Sequence, residues 1–420
     1  MDVGEHFFRH ESGRLVAALT RLFGVHNLAL AEDVTQHAFC RALEVWKVRG
    51  IPESPSAWLL TTAKHRAFDL LRRERTARDF APELSRLLDS ELLDHQRELL
   101  GAVDDAFSPG SIRDELLRMM FSCCHPSLAA EAQIALILNI LCGFGAAEIA
   151  GALLTGRAAI EKRISRGKQT LARKKTLFDL ADAEFEARLD TVRKALYLLF
   201  NEGYHGASPT SAVRPELCDE ALRLTALLLD YGPAATPITQ ALSALMCLNA
   251  ARLPARLDAS GDLLAAPDQD RARWDARLVA EGLASFEAAT RGDELSAFHI
   301  EAAIAVTHAS ASSFAATDWD AVVSLYDRLM SVAPSPVVAL NRAIALGERD
   351  GPARALTELS AIDDVERLSA YPFFPAALGQ FELRRGNLAA ARQHFSRALS
   401  LSRNSAERRF LERRLAAATH

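Results

Sequence analysis

The chain has 420 residues, 49% hydrophobic and 25% charged, ordinary globular proportions that leave a large core available across roughly two to four domains. The formal net charge of −5 excludes a uniformly basic chain. It does not exclude nucleic-acid contact, because Lys64 to Arg78 and Arg157 to Lys175 are basic while Glu83 to Glu115 and Asp179 to Glu186 are acidic, and local patches decide such contacts.

The N-terminus, MDVGEHFFRHESGR, lacks the apolar core of a secretory leader. The first helix is expected to bury Phe8, Leu15, Leu19 and Leu22 on one face. A second runs from about Leu30 to Trp46, with Val34, Phe39, Ala42, Leu43 and Trp46 inward and the acid of Ala31-Glu32-Asp33 in its first turn, where it suits the helix dipole. After the loop RGIPESPS, Ala57 to Arg78 forms a basic helix. Trp58, Leu59, Phe68, Leu70 and Leu71 are interleaved with Lys64, His65, Arg66, Arg72, Arg73, Arg75 and Arg78. Aromatics among cations suit melting or single-stranded DNA, where bases stack and phosphates are neutralised. The plainer reading is a solvated basic helix with Trp58 in the core. An acidic connector follows, broken at Ser108-Pro109-Gly110.

The six cysteines are scattered. Cys123-Cys124-His125 has metal-ligand residues, but adjacent cysteines seldom share a metal and no CxxC pair accompanies them. Buried thiols in a reducing cytoplasm are expected, with no metal and no cofactor. Ala135 to Leu141 is the densest apolar run and is too short to cross a bilayer.

Gly143 to Lys175 reads as a helix-turn-helix. A short helix, Ala146 to Leu153, carries Ile149 and Leu153 inward, and a break at Leu154-Thr155-Gly156 leads to a longer helix from Arg157. There Ile160, Ile164 and Leu171 share one face, while Lys162, Ser165, Arg166 and Gln169 point the other way. Arg157, Arg163, Lys168, Arg173, Lys174 and Lys175 flank that outer face, with Glu161 the acidic exception. Cations at the edges and hydrogen-bonding groups in the middle suit a major-groove reader; an ordinary solvated amphipathic helix is the alternative.

Residues 5–175 resemble an ECF-type (extracytoplasmic function) sigma factor of the sigma-70 family. AEDVTQHAFCRALEVW and SPSAWLLTTAKHRAFDLLRRER resemble region 2; DELLRMMFSCCHP and the helix-turn-helix resemble region 4. The resemblance implies that Asp33, Gln36 and Arg41 grip the β′ clamp helices of core RNA polymerase, with the β flap a further contact. It implies that Trp58, Lys64, His65 and Arg66 meet the −10 element and Arg72 and Arg73 the backbone. The −35 element would fall to Arg157, Glu161, Lys162, Arg163, Ser165, Arg166, Lys168 and Gln169, with Arg163 and Lys168 on phosphates. The acidic connector would thread the positively charged RNA channel. Three departures stand out: His37 follows the clamp-helix glutamine in place of an acid, His65 replaces the usual asparagine, and Gly145 takes the N-cap of the helix-turn-helix.

Beyond Leu177 the chain continues as helices, expected over Phe185–Phe200, Arg214–Tyr231, Pro237–Leu253 and Asp270–Thr290. Asn201-Glu202-Gly203-Tyr204 is expected to close the first of these, with Gly203 as its C-cap. Glu202 and His205, or His308, could serve an enzyme, but no nucleophile or metal set accompanies them. In the last third, Leu378, Gly379, Gly386, Ala391, Phe395 and Ala398 have tetratricopeptide (TPR) spacing, a looser copy holds Ala339, Leu340, Ala343, Gly351 and Ala355, and a third ends at Pro334. Such repeats stack into a short solenoid that binds proteins. LFNEGYHGAS, RPELCDEALRL, DQDRARW and AAIAVTHASA resemble the extension of an ECF subgroup with a long C-terminal TPR-type region, thought to regulate the factor from within.

The expected architecture is all-α: region 2 over 1–80, an acidic linker over 81–112, region 4 over 113–178, a helical extension over 179–290 and TPR-like repeats over 291–420. The expected role is non-enzymatic, a sigma factor with core polymerase and promoter DNA as partners, a regulatory or intramolecular contact through the TPR-like region and no membrane. The alternative is a stand-alone helix-turn-helix regulator with a TPR sensor.

Overall fold

The computed structural model describes residues 5–78, 109–152, 155–173, 185–205, 213–402 and 404–419. Leu153, Lys174, Lys175 and residues 79–108, most of the expected linker, lie outside them, as do the side chains of Arg72 and Arg73. Among the described residues the regular structure is helical, as expected, with one isolated bridge between Leu257 and Leu263. The chain divides into two units, 1–195 and 196–420.

In the first unit α1 (Glu5–Phe23), α2 (Leu28–Arg49) and α3 (Pro55–Arg78) form a three-helix group. Its core is rich in small residues: Ala31, Ala38 and Ala42 of α2 and Ala63 and Ala67 of α3 are fully buried, which lets the helices approach closely. At the far end Phe8, Phe39, Trp46 and Trp58 form an aromatic cluster, with Trp46 and Trp58 edge to face at 5.4 Å. Leu43, expected inside, is 62% exposed. The buried stripe runs through Val34, Ala38, Ala42 and Trp46, and at 100° per residue Leu43 sits about 120° off its centre.

Then come α4 (Pro109–Cys123), α5 (Ala130–Ile140), α6 (Ala146–Ala152) and α7 (Arg157–Ala172). Helix α4 starts at Pro109, inside the expected linker; proline suits a first helical turn because its missing N–H is not needed there. Helix α5 accounts for the densest apolar run: Ala132 through Leu138 and Ile140 are buried, since α4, α6, α7 and α1 all pack on it. Cys123 and Cys124 are buried and free, and burial pushes the Cys124 thiol up to about 12. Cys40, by contrast, is exposed on α2, against the expectation of buried thiols.

Helix α8 (Phe185–His205) crosses the division between the units. Its first turn belongs to the first unit: Phe185 stacks on Phe121 at 4.6 Å and Arg188 donates to the Phe121 carbonyl at 3.1 Å. Gly203 does not cap it, for the helix runs on to His205. A Cβ at Gly203 would come within 2.8 Å of the Cys218 N and Sγ and 2.9 Å of the Arg214 carbonyl. The glycine is there for close helix approach, not for termination.

The second unit continues with α9 (Pro215–Leu229), α10 (Pro237–Ala250), the one-turn α11 (Leu253–Arg256), α12 (Ala276–Ala289) and α13 (Ala297–Ser310). Helix α10 is buried along most of its length against α9, α12 and α13. After it α14 (Trp319–Val332), α15 (Pro336–Asp350), α16 (Pro352–Ser360), α17 (Phe373–Arg384), α18 (Leu388–Ser400) and α19 (Ser405–Ala417) pack each on the next. Several begin on side-chain caps: Asp318 accepts from the Ala321 N–H, Ser335 from Val338 and Asn387 from Ala390. Helix α19 then returns to the loop after α11. Arg413 donates to Asp262 at 2.5 Å and to the Leu263 carbonyl at 2.8 Å, Arg409 also pairs with Asp262, and Arg414 reaches Asp268 at 2.9 Å. Phe410 and Ala406 pack there against Val213, Leu253, Leu257 and Leu263. The row of helices therefore closes on its own beginning.

The α17–α18 hairpin is held at Gly379, where a Cβ would meet the Phe395 ring at 2.9 Å. Phe395 is only 1% exposed and has nowhere to move. Gly379→Ala is expected to destabilise this hairpin by about 1–3 kcal/mol through overpacking, measured as a lower urea midpoint. An unchanged midpoint would refute the tight crossing.

Candidate nucleic-acid and polymerase interface

Helix α7 divides its sides cleanly. Ile160, Ile164 and Leu171 are buried, and Gly167 lies between them. A Cβ at Gly167 would approach the Leu136 side chain of α5 to 2.7 Å, so this mid-helix glycine, which costs a free helix about 1 kcal/mol, is what seats α7 on α5. With that side spent, Lys162, Ser165, Arg166 and Gln169 are exposed, as are Arg157 and Glu161. Glu161 accepts from Arg157 at 2.8 Å, an exposed i,i+4 pair that contributes only about 0.3–0.5 kcal/mol. Arg163 is half-buried. Lys168 is also half-buried and donates to Glu32 of α2 at 2.6 Å, so α7 is tied to the three-helix group through a cation expected on phosphate. At the turn before α6, Glu148 accepts from the Gly145 N–H at 2.8 Å, the half of a capping box that needs no side chain on the cap residue.

Helix α2 presents a second outward stripe. Asp33, Gln36, His37, Cys40 and Arg41 are exposed, with Arg41 donating to Glu44 at 3.0 Å. Beside them Leu43 and Val48 stand 62% and 83% exposed, an apolar element that a polar helix face does not need for its own stability.

On α3 the expected −10 residues separate. His65 is exposed and Arg66 half-buried. Trp58 is half-buried but engaged with Trp46. Lys64 is 9% exposed, because it shares the inward stripe of Leu60, Ala63 and Ala67 at helical spacing. Arg72 and Arg73 lie on the last turns of the α3 backbone. The two helices α3 and α7 thus belong to one compact unit.

In the second unit the Asn201–Tyr204 motif is helical and largely inside. Glu202 and Tyr204 are buried, and Tyr204 stacks on Phe200 at 5.7 Å beneath the Arg256 guanidinium, 4.0 Å from its ring. His205 is exposed, edge-on to Tyr204. His308 is on α13, edge-on to Trp319 at 5.4 Å. Residues not singled out from the sequence gather nearby: Tyr197 donates to Glu301 at 2.9 Å, and Arg271 donates to the carbonyls of His308 and Ala311. Arg271 and Ala311 had a signal in their place inside DQDRARW and AAIAVTHASA; Tyr197 and Glu301 lie outside both segments.

Residues 7–77 match sigma-70 region 2. That domain at the N-terminus supports a sigma-70 family factor; members of that family are non-enzymatic transcription initiation factors that bind core RNA polymerase and promoter DNA. Residues 188–290 match a family of unknown function, DUF6596. A protein of Rhizobium meliloti (strain 1021), described as uncharacterized, is 39% identical over 401 residues, covering 95% of this chain and 92% of its own. The chain belongs to the same family as that protein. No helix among the described residues is long and apolar enough to cross a membrane.

Burial first, then the charges of Arg252 and Arg271, push the His308 imidazole down to about 4. Between about 4 and the ordinary 6.5, the unfolded chain binds the proton and the folded one does not, so stability falls as pH drops through that window. Lowering the pH from 7 to 5 is expected to remove about 2 kcal/mol from this source. Urea unfolding of the wild type and of His308→Gln at both pH values checks it, the variant losing about that much less. Parallel losses would refute it.

Proposed function

We propose that the protein is an ECF-type sigma factor. It docks on core RNA polymerase through the outer stripe of α2, reads and opens a −10 element through α3, reads a −35 element through the helix-turn-helix of α6 and α7, and is regulated by its own TPR-like C-terminal unit. The observation that carries this reading is the pair of outward faces left over after packing. On α7 they are Lys162, Ser165, Arg166 and Gln169, a cation and donor set suited to base edges and phosphates. On α2 they are Asp33, Gln36 and Arg41 beside exposed Leu43 and Val48, a mixed polar and apolar stripe suited to a protein partner. On α3, among the described side chains of the −10 set, His65 is exposed and Arg66 half-buried. In favour of self-regulation, the C-terminal unit is covalently attached and α8 runs unbroken through the division.

Co-purification with core RNA polymerase followed by run-off transcription tests the proposal. Asp33→Ala with Gln36→Ala is expected to lose polymerase binding while the fold survives, since both side chains are exposed. Lys162→Ala and Arg166→Ala are expected to keep polymerase but cost promoter binding about 1–3 kcal/mol for each base contact, or lower the salt slope by roughly one for each phosphate contact. Sequence-specific duplex binding that ignores the α2 changes and needs no polymerase would replace this reading with that of a stand-alone regulator. For regulation, a chain ending at His205 keeps α8 whole and so retains Phe185 and Arg188 in the first unit. Unchanged transcription from that chain would rule out control by the C-terminal unit.

A further inference from the structure

The closed row of helices in the second unit gathers three arginines that have no carboxylate partner among the described residues. Arg252 caps the start of α11 and Arg271 lies in the loop before α12; their guanidinium carbons stand 5.4 and 4.8 Å from the centre of the Trp274 ring. Arg256, on α11, stands over Tyr204. The arginines bond only neutral acceptors: Arg252 the Gln269 side chain at 3.1 Å, Arg256 the Tyr204 carbonyl, Arg271 the carbonyls of His308 and Ala311.

Nearby acids are occupied elsewhere. Asp270 accepts from the Ala272 N–H, Asp275 from those of Arg277 and Leu278, and Asp268 from Arg414. Glu301 accepts from Tyr197, and burial raises its carboxyl above the ordinary range, which weakens it as a counter-charge. His308 adds no charge near neutral pH. The indole N–H of Trp274 is sealed from solvent and meets no acceptor among the described residues.

Like charges brought together cost free energy unless something offsets them, and other arginines of this unit do meet carboxylates: Arg342 with Asp327 and Glu358, Arg384 with Glu348, Arg413 with Asp262. Arg252, Arg271 and Trp274 are half-buried and keep surface open to solvent. Arg271, His308 and Tyr326 each feel the charge of Arg252, so these side chains gather around it.

We propose that this arginine cluster is a binding site for a small oxyanion, a phosphate- or carboxylate-bearing metabolite, held by the guanidinium groups of Arg252 and Arg271. A guanidinium offers a planar fork that matches either group with two parallel hydrogen bonds. The Trp274 ring and the Gln269 side chain hold the Arg252 fork in place before a ligand arrives, which lowers the entropy lost on binding. The site lies outside the faces of α2, α3 and α7, and its failure would leave the promoter reading untouched.

The test is isothermal titration of the full-length protein with inorganic phosphate and, separately, with citrate, at an ionic strength held constant with sodium chloride. One saturable site with at least one probe is expected, and whichever probe saturates separates phosphate from carboxylate recognition. Arg252→Gln and Arg271→Gln are expected to weaken it at least tenfold with unchanged far-ultraviolet circular dichroism, and Arg252→Lys to recover part of the loss. Arg291→Ala, an exposed change elsewhere in the unit, leaves it unaltered. If either glutamine variant fails to fold, Arg271→Lys stands in, since it keeps the charge but loses the fork and is expected to bind more weakly. No saturation by either probe, or equal affinity in the folded arginine variants, overturns the proposal.

Discussion

A helix that must bury one face has only the other to offer, and in the N-terminal unit that constraint is set at Gly167. Its missing side chain lets α7 settle on Leu136 of α5, and α5 is itself buried along almost its whole length. The seating fixes the rotation of α7 about its own axis. A rotation of one residue, about 100°, would bring Arg166 or Lys168 inward and strand a charge in an apolar core, a change costing several kcal/mol. The outward set on α7 is therefore a consequence of core packing, not an independent design. The same logic applies to α2, where Ala31, Val34, Ala38 and Ala42 are spent on the bundle and Asp33, Gln36, His37 and Arg41 face out.

Much of this was legible in the sequence. Helical periodicity located the helices, and the opposed faces of α7 follow from counting at 3.6 residues per turn. Where the reading failed, a residue's chemistry was given more weight than its register. The family resemblance places Lys64 with His65 and Arg66 on the −10 element, yet Lys64 is spaced from Leu60 and Ala67 as a core residue is. Leu43 was placed inside because it is apolar, although it lies off the stripe. Gly203 was taken as a cap because a glycine near a helix end has two common uses, and only the position of Cys218 and Arg214 tells which applies. Contacts between distant segments were beyond reach: Glu32 and Lys168 stand 136 positions apart, and Asp262 and Arg413 stand 151 apart. No local pattern records such pairs.

The second unit joins two kinds of order. Its later helices repeat a hairpin, each burying its apolar face on the next, so their stability is close to a sum of neighbour contacts. An open row of this kind leaves its end helices half-covered. Here the ion pairs of Arg409, Arg413 and Arg414, with Phe410 beneath them, return α19 to the loop after α11. Closure turns a row of independent repeats into a unit whose first and last elements constrain each other. The polar residues of the 252–274 stretch are thus held from both directions, and a change in that loop would be felt at the C-terminal helix.

Charge segregation reconciles an acidic chain with a DNA-facing role, but it also sets a competition. Lys168 donates to Glu32 within the free protein. A lysine ammonium is one compact charge on a flexible stem, and it cannot hold both that carboxylate at 2.6 Å and a phosphate in the groove with full strength. If Lys168 meets phosphate as proposed, its contribution to DNA affinity is the difference between two ion pairs, not the whole of one. Glu32 would then be left half-buried beside the bundle without its partner, unless water or another cation replaced it. Lys162 and Arg166 carry no such debt: both are exposed, and no ion pair of theirs has to be broken among the described residues. The electrostatic weight of promoter binding should therefore rest on the exposed middle of α7, with Lys168 acting chiefly as the tether that keeps α7 in register with α2.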